Sequence, residues 1–200
     1  LLAGLWFVNL TNFMDGLDLM TVAEAVPITA TLVLFGISGL LPWPTTAIAA
    51  ALGGAVLGFA PFNRPVAKVF LGDVGSLPIG LLLGWCLLHL AWQGFVAAAL
   101  LLPLYYLVDA TFTLLRRMAR REPFWAAHRT HFYQRATDNG FTVTRVVGEV
   151  FVLNVALAAL AGTSIALRSA LADTALIVLG LGAVAFVLRR FSRPRLPQSR

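Results

Sequence analysis

Cysteine is nearly absent from this chain. The single one, Cys86, lies inside an apolar run, so neither a disulfide framework nor a thiolate metal site is available. Charge is almost as scarce. Only 12% of residues are Asp, Glu, Lys or Arg, where soluble domains carry about 25%. With 59% hydrophobic residues and a mean hydropathy of +0.83, that deficit excludes an ordinary soluble domain. A helix satisfies its own backbone groups in lipid, so the expected class is all-α, a polytopic bundle of membrane-spanning helices. Acids are the rarest charges, nine against fifteen bases, which leaves a net +6. Nucleic acid is excluded as the reason for that balance, because the bases hug the ends of apolar runs and carry no interleaved aromatics. An initiator Met and a signal peptide are also missing. The opening LLAGLWFV is too short to span, since a span needs roughly 20 residues. It reads as the tail of a helix, and the chain as the C-terminal portion of a longer one.

What is present is a regular succession of apolar runs. Six spans are predicted, over 21–41, 44–60, 74–93, 95–115, 146–167 and 171–189, after the tail of one more. Residues 1–190 form one integral membrane domain and 191–200 a basic tail. Threading the spans alternately puts 9–20, 61–73, 116–145 and the tail on one side, together with every base except Arg168. The positive-inside rule makes that side cytoplasmic. Pro103 predicts a kink in the fourth span. The spacings Gly54–Gly58 and Gly80–Gly84 predict close helix packing.

On the charged side Asp15, Asp18 and Asp73 fall in two short clusters, NLTNFMDGLD and NRPVAKVFLGD. In Phe70-Leu71-Gly72-Asp73-Val74-Gly75-Ser76, glycines flank an aspartate at the start of a span. That pattern permits a tight turn, close approach of a ligand to Gly72, and a phosphate at the helix start. Asp73 would hold a divalent cation, Mg²⁺ being bound by one or two carboxylates plus phosphate oxygens; the alternative is a helix N-cap by Asp73 or Ser76. Asn9, Asn12, Asp15 and Asp18 recur every three residues and would share one helix face, with amides for sugar or base edges and carboxylates for metal or hydroxyls. A solvated helix end stopped by Gly16 is the alternative. The 116–145 loop carries seven arginines, Arg121 and Arg129 among them, with His128 and His131. Arginine forks suit phosphate. Two histidines are half a zinc site, so phosphate contact or proton donation is the preferred reading. Arg116 and Arg117 read as caps of the fourth span. Asp109 and Glu149 lie inside spans near the charged end, as site residues or as ion pairs with loop arginines. Glu24, at the first full span's start, reads as structural.

NxxNFMDGLD, then N-x-x-P-x-x-V-F-L-G-D-x-G-S, then a basic loop with HRTHFYQR, resembles the polyprenyl-phosphate sugar-1-phosphate transferases of glycosyltransferase family 4. These include the N-acetylhexosamine-1-phosphate transferases that begin O-antigen and related glycans, and the phospho-MurNAc-pentapeptide transferases of peptidoglycan. The resemblance covers nearly the whole chain in motif order. It implies Mg²⁺-dependent transfer of a sugar-1-phosphate, HexNAc-1-phosphate in the O-antigen branch, from a UDP-sugar to undecaprenyl phosphate with UMP leaving. The implied place is the cytoplasmic face of the bacterial plasma membrane, and a homodimer is left open. By the same resemblance Asp73 is the metal ligand and Asn63 contacts uracil. Asn12, Asp15 and Asp18 belong to the nucleotide-sugar motif, and His131 falls in the histidine loop. The family's adjacent aspartate pair has no counterpart here, since no Asp-Asp occurs. The sparser histidine loop favours the O-antigen branch. A transporter or flippase using Asp109 and Glu149, or an inert membrane subunit, is the alternative.

Overall fold

A computed structural model describes residues 2–123 and 129–194. Among them are nine helices and no strand: α1 (Leu2–Met14), α2 (Met20–Ile37), α3 (Trp43–Asn63), α4 (Gly72–Trp92), α5 (Val96–Leu101), α6 (Leu104–Ala119), α7 (Phe132–Asp138), α8 (Val143–Leu167) and α9 (Ala170–Phe191). The all-helical expectation is met. Five helices, α2, α3, α4, α8 and α9, are long and apolar enough to cross a membrane. Within them the threonines do not interrupt the ladder, because Thr29 and Thr31 return their hydroxyls to the carbonyls of Ala25 and Pro27 one turn back.

The predicted span 95–115 is a correction. It is not one helix but two, α5 and α6, broken at Leu102–Pro103. Proline lacks the N–H that would continue the α5 ladder and its ring crowds the preceding turn. Pro103 instead precedes α6, and its carbonyl accepts from Leu107 N at 3.0 Å. Five single helices are therefore long and apolar enough to span, and in place of a sixth unbroken one the pair α5 and α6 runs from the end of α4 to the charged connection before α8, bent at the proline where a kink was expected.

Helix α2 is the most enclosed of the five and α9 the least. Met20, Ile28 and Leu32 of α2 are wholly buried beside Leu10 and Met14 of α1 and Leu157 of α8, which forms one continuous apolar core. Glu24 belongs to this interior rather than to a solvated helix start. Its Oε2 accepts from Asn154 Nδ2 of α8 at 2.6 Å, and the same nitrogen reaches the Ala23 carbonyl at 3.0 Å. A polar pair thus joins α2 to α8 inside the bundle, the kind of link that apolar surroundings favour.

The two glycine spacings behave differently. A Cβ at Gly80 would stand 3.0 Å from the Val8 backbone, and one at Gly84 would press on Phe7, so α4 packs on α1 through these positions. Gly54 and Gly58 have nothing within 4 Å of such a Cβ. They do not pack against another helix of the described chain, contrary to the expectation, because the other face of α3, with Gly53 against Thr29, meets α2.

Candidate active site at the charged end of the bundle

The charged connections meet at one end of the bundle. Helix α1 stops at Met14, and Asp15 to Leu19 cross to α2. Asp15 and Asp18 therefore lie beyond the helix, and the expected single face carrying Asn9, Asn12, Asp15 and Asp18 is not formed. Gly16 does mark the stop, but through close approach: a Cβ there would run into the Tyr133 hydroxyl and stand 2.9 Å from Gln134 Nε2. Asn9 is turned away from the cluster. It is exposed and bonds the Leu5 carbonyl of its own helix.

Asn12 joins α1 to α4. Its Nδ2 donates to Asp73 Oδ1 and to Ser76 Oγ, both at 2.8 Å. Gly72 enters α4 with φ +56, a conformation that disfavours any side chain. That turn sets Asp73 in the first turn of the helix, exposed, with the dipole's positive end behind it. Neither Asp73 nor Ser76 caps α4; Ser76 donates to the Gly72 carbonyl at 3.0 Å. Asp73 thus keeps its carboxylate directed outward, apart from the one oxygen held by Asn12.

The second arm of the site is the 64–71 connection. Asn63, the last residue of α3, is buried and both ends of its amide are engaged. Oδ1 accepts from Leu19 N at 2.7 Å, and Nδ2 donates to the Val69 carbonyl at 2.9 Å. This is a clamp between two loops, which differs from the uracil contact that the motif implies. Asp18 Oδ2 accepts from Ala67 N at 3.1 Å and fixes the same loop from the other side. Asp15, Asp18, Asn63, Gly72, Phe70 and Leu71 line a cavity of about 240 Å³. Burial raises the Asp15 carboxyl above the ordinary aspartate value, and the Thr21 hydroxyl, donating at 2.5 Å, pulls it partly back.

The third arm is α7. Tyr133 donates its hydroxyl to the Phe13 carbonyl at 3.0 Å, and the His131 ring stacks on Phe13 with centroids 6.4 Å apart. Burial, and then the nearby Asp109, push the Tyr133 phenol upward, so it stays a neutral donor. Asp109 is the anchor of this arm. Its Oδ1 takes His131 Nδ1 at 3.2 Å, Phe132 N at 3.1 Å and Thr113 Oγ1 at 3.2 Å. Its Oδ2 takes Tyr105 Oη at 3.2 Å and Tyr133 N at 3.4 Å. Tyr105, Asp109 and Thr113 recur every four residues, one stripe of α6 turned inward. The sequence flagged Asp109 only as an intramembrane acid. The i, i+4 hydroxyls on either side were the missed signal that it is a hub.

Arg116, Arg117, Arg120 and Arg135 surround a cavity of about 210 Å³ with Thr130 and Glu122. Arg117 is structural as expected: buried, it donates to the Pro123 carbonyl at 2.7 Å and lies 3.7 Å from Glu122. Arg121 and Arg129 are exposed and do not line that cavity, and His128 lies outside the described residues. Glu149 is an ion-pair residue, bonded to Arg145 and Arg190. Among the described residues no three His, Cys, Asp or Glu side chains cluster closely enough to cage a metal. The donors do fit a Mg²⁺ ion that takes one or two carboxylates and completes its shell with water and phosphate oxygens, with Asp73 outward-facing beside a cavity that holds two more acids.

Residues 1–91 match the model of the family described as glycosyl transferase family 4. The decaprenyl-phosphate N-acetylglucosaminephosphotransferase of Mycobacterium tuberculosis is 29% identical over 202 residues, covering 90% of this chain and 50% of the relative. The "Probable undecaprenyl-phosphate N-acetylglucosaminyl 1-phosphate transferase" of Bacillus subtilis is 27% identical over 167 residues, 75% of this chain and 45% of the relative. The phospho-N-acetylmuramoyl-pentapeptide-transferase of Streptococcus pyogenes is 37% identical over 79 residues, 38% of this chain and 23% of the relative. The chain spans about half the length of the curated relatives it matches. The matched stretch carries Asn12, Asp15, Asp18, Asn63 and Asp73, the residues that converge at the charged end, and over that stretch the chain is similar to glycosyl transferase family 4.

Proposed function

We propose that the protein carrying this chain transfers a sugar-1-phosphate, HexNAc-1-phosphate in particular, from a UDP-sugar to undecaprenyl phosphate with release of UMP. The reaction would take place at the cytoplasmic face of a bacterial plasma membrane and start a cell-envelope glycan such as O-antigen. The observation that carries this reading is the bond between Asn12 and Asp73 beside a cavity lined by Asp15, Asp18 and Gly72. It gathers residues from both acidic clusters around a space open to a phosphorylated ligand.

Asp73, with Asp15 or Asp18, would hold Mg²⁺, which supplies charge neutralisation for a diphosphate. The chain's own residues do the positioning on which phosphoryl transfer mainly depends. Asn12 fixes the rotamer of Asp73. Asp15 and Asp18 present carboxylate oxygens to sugar hydroxyls. Asn63 holds the 64–71 loop against Leu19, so that Gly72 offers close backbone approach. His131, held by Asp109 through Nδ1, would contact phosphate or donate a proton to a leaving oxygen. Arg121 and Arg129, exposed near this end, supply positive charge to the diphosphate, a role also open to His128.

The test is release of UMP from UDP-GlcNAc and undecaprenyl phosphate by the full-length protein in the presence of Mg²⁺. Transport of substrate across proteoliposomes without UMP formation would overturn the reading in favour of a transporter.

A further inference from the structure

A wide groove on the described surface is separate from the acidic cavity and shares no residue with it. It runs between α8 and α9, encloses about 850 Å³, and has an apolar stem of Val152, Leu153, Ala156, Ala183, Phe186 and Val187. Its charged end is built rather than incidental. One oxygen of Glu149, Oε1, accepts from Arg145 Nε at 2.9 Å and from Arg190 Nη2 at 3.1 Å. The two guanidinium groups are thereby drawn from separate helices to one point at the head of the stem. A second cavity of about 440 Å³ shares Phe186 and Arg190 with the groove and adds Arg189 and Arg193. The mouth therefore carries four arginines against one glutamate, a net +3.

An apolar slot of this length that opens onto unbalanced arginines suits a ligand that joins an apolar chain to an anionic phosphate. We infer that it binds an anionic glycerophospholipid, with an acyl chain along Val152, Ala156 and Val187 and the phosphate on Arg145 and Arg190. Basic pockets between helices near the headgroup level recognise lipid phosphates in this way, and planar guanidinium forks suit phosphate oxygens. Glu149 is the organiser: it holds the two arginines together and leaves their remaining N–H groups for the ligand. An apolar helix from another polypeptide would fill the stem but leave the +3 mouth unanswered. A free phosphate would answer the mouth and leave the stem empty.

The test is native mass spectrometry on the full-length protein in mild detergent, titrated separately with phosphatidylglycerol, phosphatidylcholine and inorganic phosphate. Phosphatidylglycerol should be retained about tenfold more than phosphatidylcholine, and inorganic phosphate should not displace it. The pair Arg145→Gln with Arg190→Gln should abolish the preference, while Arg168→Gln at the opposite end should leave it intact. Val152→Trp, which fills the stem without altering a charge, should lower retention of phosphatidylglycerol and decides the matter should the double variant not fold. Equal retention of the two lipids, a preference that survives the double variant, or unchanged retention in Val152→Trp would overturn the inference. So would displacement by phosphate alone, or a photo-crosslinker at Val152 that captures polypeptide instead of lipid.

Discussion

The side-chain amide of Asn12 lies 2.8 Å from Oδ1 of Asp73, across 61 residues of sequence. One end of this bond is the last turn of α1 and the other the first turn of α4, two helices that pack through Gly80 and Gly84. The bond leaves the second Asp73 oxygen to a ligand and fixes where it points. Asp73→Asn keeps the shape and removes the charge, so UMP release should fall by about a hundredfold or more, with no recovery at high Mg²⁺. Asn12→Leu removes only the orienting donor. It should lower turnover by about tenfold and raise the Mg²⁺ concentration needed for half-maximal rate. Full Mg²⁺-dependent turnover in Asp73→Asn would refute the metal role.

Much of this end of the molecule is legible in the sequence, for a physical reason. Charge in an apolar chain is expensive, so each surviving acid is informative, and Asp15 and Asp18 do line one cavity with Gly72, the residue before Asp73. Period-three spacing was a poorer guide. Asn9 and Asp18 fit a helical face on paper, but α1 ends at Met14 and Asn9 bonds its own backbone. Hydropathy likewise reads 95–115 as a single span, because averaging over a window does not register one proline's missing N–H. The clamp made by Asn63 could not be read at all. Its partners, Leu19 N and the Val69 carbonyl, are backbone groups with no sequence signature.

That clamp makes a prediction of its own. Asn63→Ala strands the Leu19 N–H and the Val69 carbonyl, a loss of about 1–3 kcal/mol. Thermal unfolding should show it, and the half-saturating concentration of UDP-sugar should rise as the 64–71 loop loosens. Asn63→Asp retains the acceptor for Leu19 but sets a carboxylate oxygen against the Val69 carbonyl in a buried site, so it should lose at least as much stability. Should Asn63→Ala unfold like the parent and raise only the half-saturating concentration, the asparagine would be a ligand contact instead.

Asp15 links the site to pH. Its folded pKa is raised by burial, the Thr21 hydroxyl offsetting part of the effect. The folded state therefore binds this proton more tightly than the unfolded state. Stability from this group is greatest at pH below its unfolded pKa and declines as pH rises towards the raised value, then is level. Activity runs the other way, since an ionised Asp15 is the form that binds hydroxyls or metal. The acid limb of kcat/KM should lie above the ordinary aspartate value, and Thr21→Val should move it higher still. A pH–rate profile of the two proteins checks this, and an acid limb that does not move in Thr21→Val would remove Asp15 from the chemistry.

Asp109 accepts five hydrogen bonds, two from hydroxyls of its own helix and three from His131, Phe132 and Tyr133 at the start of α7, the last two through backbone N–H groups. Asp109→Ala leaves those donors buried and unpaired and should destabilise by about 3–5 kcal/mol, seen as early melting and as proteolysis near residues 129–138. Asp109→Asn keeps the shape, but its amide can no longer accept at both oxygens. It should fold, and its turnover should drop. The His131→Gln variant discriminates: if the double variant loses no more turnover than either single variant, the aspartate acts through the histidine. Unchanged turnover in both single variants would reduce the dyad to a helix anchor.

The contrast between the two glycine pairs yields a prediction independent of any substrate. A Cβ at Gly80 meets the Val8 Cα at 3.0 Å, which is backbone and cannot rotate aside, and Thr11 Cβ at the same distance. Gly80→Ala must therefore push α4 off α1 by a few tenths of an ångström, and Gly80→Leu by much more. An overpacked contact of this kind costs about 1–3 kcal/mol. Because the same two helices carry Asn12 and Asp73, the strain should also lengthen their hydrogen bond and lower turnover. Gly54→Ala places its methyl in open space and should gain slightly from helix propensity, by up to about 1 kcal/mol. Melting temperatures in a single detergent, with turnover measured in parallel, separate the two cases. If Gly54→Ala proved the more damaging of the pair, α3 would have a close helix neighbour on that face.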